Sequence, residues 1–229
     1  MIPRVILHNS ASIDGRIDWL TPNVELHYEL AAYWRADAQL VGSETILIST
    51  EEIPEEADPN VEDLAAQQPQ SPGDTRPLLV IPDSRGRVRT WDMLCKMRHW
   101  RGAVALCTHS TSQDYLDYLG SLGVEYILVG ADLVDLRAGL EALHTTYGIQ
   151  TVLVDSGGTL NGALLRAGLV SEVSLLIYPC LVGGTTPQSF FRAPDLAKQA
   201  GAIELDLIAV EQVRTGIIWL RYAVKNKPE

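Results

Sequence analysis

The chain has 229 residues, 46% of them hydrophobic, and a formal net charge of −11 at pH 7. The hydrophobic share is ordinary for a globular protein, whereas the acidic balance excludes a general nucleic-acid binder, which needs a basic face. No apolar run approaches the roughly 20 residues that span a membrane, and the apolar stretch at the N-terminus is too short for a signal peptide. We therefore expect a cytoplasmic protein with no membrane or nucleic-acid partner.

The chain opens with a strand pattern followed by a helix pattern. The run RVILHNS has the length and apolar content of a buried strand. The run TPNVELHYELAAYWRA has apolar residues at helical spacing, and it predicts a helix with Thr21 as its cap and Pro22 in its first turn. Two short apolar runs come next, AQLVGS and TILIS.

Residues 51–76 interrupt this alternation. They carry eight acidic residues against Arg76 alone, and they are rich in Pro, Glu and Gln. Such a composition buries little apolar surface and predicts a mobile surface insertion. A solvated loop and an active-site lid are the two alternatives for its role.

The remainder alternates strands and helices and then ends in strands. Four further runs predict buried strands: PLLVIPD, AVALCT, VEYILVG and QTVLVD. Three runs predict helices, of which the first two end at Gly123 and Gly148: SQDYLDYLGSLG, ADLVDLRAGLEALHTTYG and TLNGALLRAGL. The last three runs predict strands with a hairpin at RTG: EVSLLIYPCLVG, AIELDLIAVEQV and GIIWLRYAVK. This order predicts one α/β domain over residues 1–229, with a mixed, mostly parallel sheet and an antiparallel C-terminal hairpin.

The segment VDSGGTLNG, residues 154–162, lies between a predicted strand and a predicted helix. Glycines at 157 and 158 permit close approach of the backbone to a ligand, and the amide groups that begin the helix favour an anion. Thr159 can cap that helix or reach a phosphate with its hydroxyl. Neither standard nucleotide-binding glycine motif is matched, so a tight turn without a ligand is the alternative.

Ser156 stands in the tetrapeptide DSGG, which also surrounds the nucleophile of trypsin-like proteases. Those proteases are all-β, whereas Ser156 precedes a predicted helix. None of the histidines at 8, 27, 99, 109 and 144 has an informative spacing to it. A serine nucleophile needs a histidine base and an orienting acid, so we expect Ser156 not to be one.

Two more segments carry candidate ligand-binding side chains. The run PDSRGRVRT places Arg85 and Arg87 just after a strand, where they could bind a phosphate through forked, charge-assisted hydrogen bonds or form a solvated basic turn. Asp14 precedes a glycine after the first strand, in a turn or a ligand-facing loop. No paired-cysteine or histidine metal motif occurs, so we expect no metal.

Four segments, SIDGRI, ADAQLVGSETIL, VIPDSRGRV and VLVDSGGTLNGALLRAGLVSEVSLLIYPCLVGG, occur in the order found in the reductase domain of riboflavin biosynthesis. The chain resembles that family over nearly its whole length apart from the acidic insertion. The resemblance implies a dihydrofolate reductase-like fold and a homodimer. It also implies NADPH-dependent reduction of 5-amino-6-(5-phosphoribosylamino)uracil to its ribitylamino product by direct hydride transfer.

The same resemblance implies roles for individual residues. Asp155 stands where the family has a substrate-facing glutamate, and Asp14 with Gly15 matches the loop beside the nicotinamide; we take Asp155 and Asp14 as catalytic candidates. Arg85 and Arg87 are our physical candidates for the 2′-phosphate of NADPH. The residues that match cofactor-contacting positions are Ser10, Thr45, Ser84, Gly157, Gly158, Thr159, Leu160, Asn161, Gly162 and Ala163.

The sequence departs from the family at substrate-binding positions. After Thr45 the family has an acidic segment followed by a basic residue, whereas this chain has Ser49 and no arginine there. Tyr33 aligns with a phosphate-binding arginine, and Arg35 is the nearby cation, so both join Asp155 as substrate-binding candidates. The alternatives are therefore a reductase of another small heterocycle or carbonyl compound, and a nucleotide-binding protein without turnover.

Overall fold

A computed structural model describes residues 1–51, 74–185, 188–214 and 216–225. Most of the predicted acidic insertion, residues 52–73, lies outside the described residues. The chain divides into two compact units, which we call the central unit (Asp37–Gln150, with Met1) and the terminal unit (Ile2–Ala36 and Thr151–Glu229). The single domain predicted for 1–229 stays a prediction.

The described chain alternates strands and helices and ends in strands. The strands are β1 (Arg4–Ser12), β2 (Ala38–Leu40), β3 (Leu78–Pro82), β4 (Gly102–Cys107), β5 (Glu125–Leu128), β6 (Thr151–Val154), β7 (Glu172–Tyr178), β8 (Leu205–Arg214) and β9 (Ile217–Val224). The α-helices are α1 (Val24–Ala31), α2 (Ser43–Glu51), α3 (Trp91–Lys96), α4 (Gln113–Ser121), α5 (Leu136–Tyr147) and α6 (Gly158–Arg166). No described helix has the length and apolarity that a membrane crossing requires.

The central unit is a parallel sheet with helices between its strands. Its strands lie in the order β5, β4, β3, β2, and every pair is parallel. Strands such as Leu78–Pro82 are continuous apolar runs because helices cover both faces of a parallel sheet. Trp91 and Tyr115 lie fully buried in the core of this unit.

The terminal unit has a mixed sheet in the order β6, β1, β7, β9, β8. Strand β1 is parallel to β6 and to β7, whereas β9 is antiparallel to both β7 and β8. The apolar core here includes Ile6, Leu26 and Trp219. The prediction of mostly parallel strands with an antiparallel C-terminal hairpin is confirmed.

Two helix starts, those of α1 and α6, differ from the sequence-based expectation. Helix α1 begins at Val24 and is capped by Asn23, whose Oδ1 accepts from the Leu26 amide at 2.8 Å, so Thr21 and Pro22 precede the helix. Gly157, not Thr159, is the N-cap of α6. The run TILIS belongs to helix α2. The predicted stop at Gly148 is confirmed, because this glycine caps α5 with a φ of 69° in the left-handed region.

Candidate active site at the carboxyl end of β6

Asp155 directly follows β6, at the edge of the sheet where that strand ends. The parallel pairing aligns Leu7 of β1 with Val154, so the next residues along the two strands are His8 and Asp155. The carboxyl ends of parallel strands are the usual place for ligands in α/β proteins. Helix α1 then brings His27 and Tyr28 to Asp155.

Both carboxylate oxygens of Asp155 have partners from α1. The Nε2 atom of His27 lies 3.5 Å from Oδ1, and the Tyr28 hydroxyl donates to Oδ2 at 3.3 Å. The Asp155 side chain still exposes 24% of its surface, so a ligand can reach it. Burial acts to raise the pKa of Asp155, but hydrogen bonding and charge from His27, with smaller contributions from His8 and Tyr28, outweigh it and lower that pKa. Asp155 is therefore a carboxylate at neutral pH.

A buried chain of hydrogen bonds lies behind this carboxylate. The Trp219 indole donates to Ser174 Oγ at 2.8 Å, and Ser174 Oγ lies 2.9 Å from His8 Nδ1. His8 Nε2 lies 3.0 Å from the backbone carbonyl of His27, which only accepts, so Nε2 carries the proton and Nδ1 accepts from Ser174. Burial, then the charge of His27, lower the pKa of His8 to about 4. His8 is therefore a neutral group that fixes the first turn of α1.

Ser10, a predicted cofactor contact, lies against His27. Its Oγ is 3.2 Å from His27 Nδ1, and the His27 ring is 4.4 Å from the His8 ring. Both ring nitrogens of His27 thus face polar groups, Ser10 on one side and Asp155 on the other. Sequence reasoning missed His27, because 128 residues separate it from Asp155 in the chain. The signal that could have found it is a histidine next to Leu26 on the buried face of α1.

The turn at residues 155–158 is held by two asparagines. Asn9 Nδ2 donates to the carbonyl of Ser156 at 2.8 Å, and Asn161 Nδ2 donates to Asn9 Oδ1 and to the Phe190 carbonyl, each at 2.8 Å. Asn161 is fully buried, so its side chain braces the turn, and its predicted cofactor contact would involve the backbone. Ser156 is 5% exposed, which fits the expectation that it is not a nucleophile.

The packing of the chain against α6 leaves no room for a side chain at Gly158 or Gly162. A Cβ at Gly158 would lie 2.0 Å from the Ser189 carbonyl oxygen, and one at Gly162 would lie 1.8 Å from that of Arg192. The Arg192 amide also donates to the Gly158 carbonyl at 3.0 Å. From the sequence, we expected a ligand to approach the backbone at these glycines. At Gly158 and Gly162 it is instead the backbone of residues 189–192 that makes the close approach.

The first turn of α6 suits an anion. Gly157 has no side chain to cap the helix, and no acidic residue lies in the first turn. Thr159 is exposed there, next to Leu160, and Ala163 follows on the second turn. An uncapped helix start presents backbone N–H groups and the positive end of the helix dipole. The described residues thus fit a phosphate group of a dinucleotide at this point.

Asp14 braces a neighbouring loop. Its carboxylate accepts from Ser12 Oγ at 2.6 Å and from the amides of Val182 and Gly183 at 3.1 and 2.6 Å. These hydrogen bonds lower the pKa of Asp14 to about 2. Such a carboxylate is a poor proton donor at neutral pH, and the geometry favours a role in holding the loop rather than in proton transfer. Gly15 follows it with a φ of 77°.

A cation of β9 lies over the Tyr33 ring. The Arg221 guanidinium lies 4.5 Å from the Tyr33 ring centre and 4.6 Å from that of Trp219. It also lies 3.5 Å from Glu211. Arg35, the cation that sequence reasoning named, is exposed and has a φ of 45°. Whether Tyr33 and Arg35 bind substrate stays a prediction.

The other predicted cofactor contacts belong to the central unit. Ser84 Oγ accepts from the Val134 amide at 3.0 Å, and Arg87 forms a surface ion pair with Glu44 at 2.8 Å. Arg85 is exposed, and Thr45 lies in the first turn of α2. Their joint action with the α6 segment stays a prediction. Among the residues that the structure describes, no group of three or more His, Cys, Asp or Glu side chains is arranged to hold a metal.

Comparisons with curated proteins find relatives over most of the chain. The chain is 29% identical, over 215 residues, to the 2,5-diamino-6-ribosylamino-4(3H)-pyrimidinone 5′-phosphate reductase of Methanothermobacter thermautotrophicus, covering 90% of this chain and 92% of that protein. It is 27% identical to the protein of the same name from Archaeoglobus fulgidus over 191 residues, which is 80% of this chain and 84% of the relative.

Solved structures show the same fold. A pyrimidine reductase-like protein from Corynebacterium diphtheriae matches with a TM-score of 0.72 at 18% identity, covering 98% of this chain and 93% of that one. Acinetobacter baumannii RibD matches with a TM-score of 0.70 at 23% identity, and this chain spans 58% of its length. The predicted dihydrofolate reductase-like fold is thereby confirmed. The model of the RibD C-terminal domain matches residues 3–219. The chain therefore belongs to the RibD C-terminal domain family.

Proposed function

We propose that this protein is an NADPH-dependent reductase of a phosphorylated ribosylaminopyrimidine in riboflavin biosynthesis. The observation that carries the proposal is the position of Asp155. This ionised, partly exposed residue lies three positions before Gly158, where α6 begins without a side-chain cap. This arrangement offers an acceptor for the N–H groups of a heterocycle beside a site for a cofactor phosphate. Family membership and the names of the relatives support the same reaction.

The chain's contribution to cofactor binding follows from α6. The first-turn amides of Gly158, Thr159 and Leu160 would bind a phosphate, and the Thr159 hydroxyl would add a donor. Arg85 and Arg87 are the proposed partners of the 2′-phosphate that distinguishes NADPH from NADH, since forked guanidinium groups suit phosphate. When bound, NADPH supplies the hydride that reduces the ribosyl carbon. The proposed reaction also fits a cytoplasmic location, which stays part of this proposal.

Two candidate pyrimidine substrates differ in the hydrogen-bonding groups that would face Asp155. The relatives' substrate carries a 2-amino group next to the N3–H, which gives two adjacent donors, whereas the uracil that the sequence resemblance implied has an oxygen at position 2. A carboxylate only accepts, so it pairs with adjacent donors and is repelled by a carbonyl. We therefore propose the diaminopyrimidinone as the preferred substrate and the uracil as the second candidate.

The test is NADPH oxidation by the purified protein with each pyrimidine, followed by identification of the ribitylamino product. We expect turnover with a higher kcat/KM for the diaminopyrimidinone. Asp155→Asn replaces one acceptor by a donor, so it should reduce that preference while NADPH binding, followed by fluorescence, is retained. Cofactor binding without turnover of either pyrimidine would contradict the proposal and favour a reductase of another small molecule or a nucleotide-binding protein.

The terminal unit also supports the homodimer that the family resemblance implied. Among the strands that the structure describes, β8 lies at the end of the sheet, next to β9. It exposes the apolar side chains of Leu205, Leu207, Ile208 and Val210. An edge strand of this kind is a ready site for pairing with another chain. We propose that a second copy of the protein covers β8.

A further inference from the structure

Tyr28 is the more exposed of the two α1 side chains that contact the Asp155 carboxylate. His27 is 9% exposed, whereas Tyr28 is 51% exposed. The Tyr28 hydroxyl lies on the Oδ2 side of the carboxylate, and His27 lies on the Oδ1 side. A ligand that reaches Asp155 from solvent therefore meets the Tyr28 hydroxyl next to Oδ2.

The hydrogen bond between Tyr28 and Asp155 is long. The hydroxyl donates to Oδ2 at 3.3 Å, whereas a hydroxyl donor usually lies about 2.7–2.8 Å from its oxygen acceptor. The hydroxyl hydrogen can rotate about the C–O bond toward a better-placed acceptor. The Tyr28 ring packs edge-on against the His27 ring, with 5.1 Å between the ring centres. The oxygen of Tyr28 therefore keeps its place beside Asp155 when its hydrogen turns to another acceptor.

Asp155 and Tyr28 together present two acceptors and one donor in a row. The two carboxylate oxygens accept, and the hydroxyl beside Oδ2 donates. The pyrimidine proposed as the preferred substrate has the complementary row along one edge, because its 2-amino group and N3–H donate and its oxygen at position 4 accepts. Pairing all three groups places the 2-amino group on Oδ1, the N3–H on Oδ2 and the oxygen at position 4 against the Tyr28 hydroxyl.

We infer that Tyr28 is a substrate-binding residue whose hydroxyl donates a hydrogen bond to the oxygen at position 4 of the pyrimidine. This role rests on the proposed function. When the substrate binds, its N3–H replaces the tyrosine hydroxyl as the donor to Asp155 Oδ2, and the hydroxyl turns to the substrate oxygen. The exchange leaves each of these groups with a partner, so no donor or acceptor is desolvated without a hydrogen bond.

The two candidate pyrimidines differ at position 2 but share the oxygen at position 4. Asp155 therefore determines the preference between them, whereas Tyr28 contributes equally to the binding of both. Position 4 is remote from the ribosyl carbon that receives the hydride, so the hydrogen bond from Tyr28 is the same in the bound substrate and in the transition state. Loss of such a contact raises KM and leaves kcat unchanged.

The test is the steady-state kinetics of Tyr28→Phe, which removes the hydroxyl and keeps the ring. We expect kcat/KM to fall by about 10-fold for both pyrimidines, through KM, with the ratio between the two substrates unchanged. NADPH affinity should equal that of the wild type, and the melting temperature checks that the variant is folded. Tyr126→Phe, at a tyrosine of β5 that is 40% exposed, is the matched control and should keep wild-type kinetics.

A substrate analogue separates a direct contact from an effect that Tyr28 exerts through Asp155. The diaminopyrimidinone with sulfur in place of the oxygen at position 4 keeps both donors but offers a weaker acceptor. For this analogue the wild type should have a kcat/KM about 10-fold lower than for the oxygen compound. Tyr28→Phe should use the two compounds nearly equally well.

Three results would contradict this role. A Tyr28→Phe variant with wild-type kcat/KM for both pyrimidines would overturn the inference and leave the proposed function standing. The same holds for a variant that changes only the preference between the two pyrimidines, or that still discriminates against sulfur as the wild type does. A wild-type protein that binds NADPH but reduces neither pyrimidine would overturn both the inference and the proposed function.

Discussion

His8 links the candidate site to the stability of the fold. Its ring is completely buried, and its two nitrogens connect β7, through Ser174, to the first turn of α1. In a charged His8, Nδ1 would carry a proton and could no longer accept the hydrogen bond from Ser174. The charge would also be buried away from water. The fold therefore requires the neutral form.

This requirement predicts that the protein loses stability in mild acid. The pKa of His8 is about 4 in the folded state against 6.5 for an ordinary histidine. Between these values the unfolded chain binds a proton that the folded chain does not, so the free energy of unfolding falls as pH drops from 6.5 to 4, by up to about 3 kcal/mol. The lowered pKa of Asp155 adds a loss only at still lower pH. Urea unfolding at pH 7, 6 and 5 measures the effect.

The control for this prediction is His8→Gln, which cannot titrate. We expect it to be less stable than the wild type at pH 7, because it disturbs a buried hydrogen-bond chain, but to depend less on pH between 6.5 and 4. His99→Gln, at an exposed histidine of the central unit, should keep the wild-type pH dependence. An equal pH dependence in His8→Gln and the wild type would show that His8 is not the group responsible.

At the scale of single residues, the sequence predicted Asp155 and the α6 segment. It did not predict the side chains that pack around Asp155. Asp155 was found through a family motif that is contiguous in the chain. His8, His27 and Ser174 come together only because β1 pairs with β7 and α1 packs over them. No local spacing encodes that meeting, so the partners of Asp155 needed the structure.

At the scale of elements, helix ends depended on which of several candidate caps is used. Thr21, Pro22 and Asn23 all suit a helix start, and local preference did not distinguish them. Asn23 caps α1 because its backbone amide also donates a hydrogen bond to the Tyr178 hydroxyl oxygen at 2.8 Å, a contact with a distant strand. Gly148, by contrast, was predicted correctly, since a left-handed residue after a helix is a local requirement that glycine meets.

Helix α6 carries the prediction for the cofactor. Thr159 is exposed in its first turn, so Thr159→Glu places a negative charge where a phosphate would bind. We expect NADPH affinity to fall by about 10-fold or more, because like charges in one site repel. The helix itself should gain stability of about 0.3–1 kcal/mol from an acidic residue in its first turn. Fluorescence titration with NADPH and thermal unfolding measure the two effects.

Thr159→Gln is the neutral control and should retain most of the affinity. Gly158→Asp would be a poor choice for this purpose, because its Cβ would collide with the Ser189 carbonyl and disturb the turn whatever binds there. A Thr159→Glu variant that binds NADPH as tightly as the wild type would place the cofactor phosphates elsewhere.

At the scale of the whole molecule, the mixed sheet followed from the order of elements. Alternating strands and helices require parallel pairing, because a crossover helix returns the chain to the same end of the sheet. The final hairpin was marked by the tripeptide RTG. The pairing of β1 with both β6 and β7 was not predictable from the pattern, because all three are buried apolar runs without a feature that selects neighbours.

The exposed strand β8 leads to the prediction for assembly. Leu207 is 58% exposed and Val210 is 55% exposed on the last strand of the described sheet. We expect the wild-type protein to sediment at about twice the mass of one 25.1 kDa chain, because a two-fold interface would bury these side chains on both copies. The double substitution Leu207→Lys with Val210→Lys places like charges on both sides of such an interface, at a cost of several kcal/mol, and should yield monomers.

The control is Leu133→Lys, at an apolar residue of the central unit that is 72% exposed. This variant should keep the wild-type mass. A wild-type protein that stays monomeric at tens of micromolar would refute the proposed interface. An equal loss of dimer in Leu133→Lys would show that the effect of the β8 substitutions is not specific to an interface at β8.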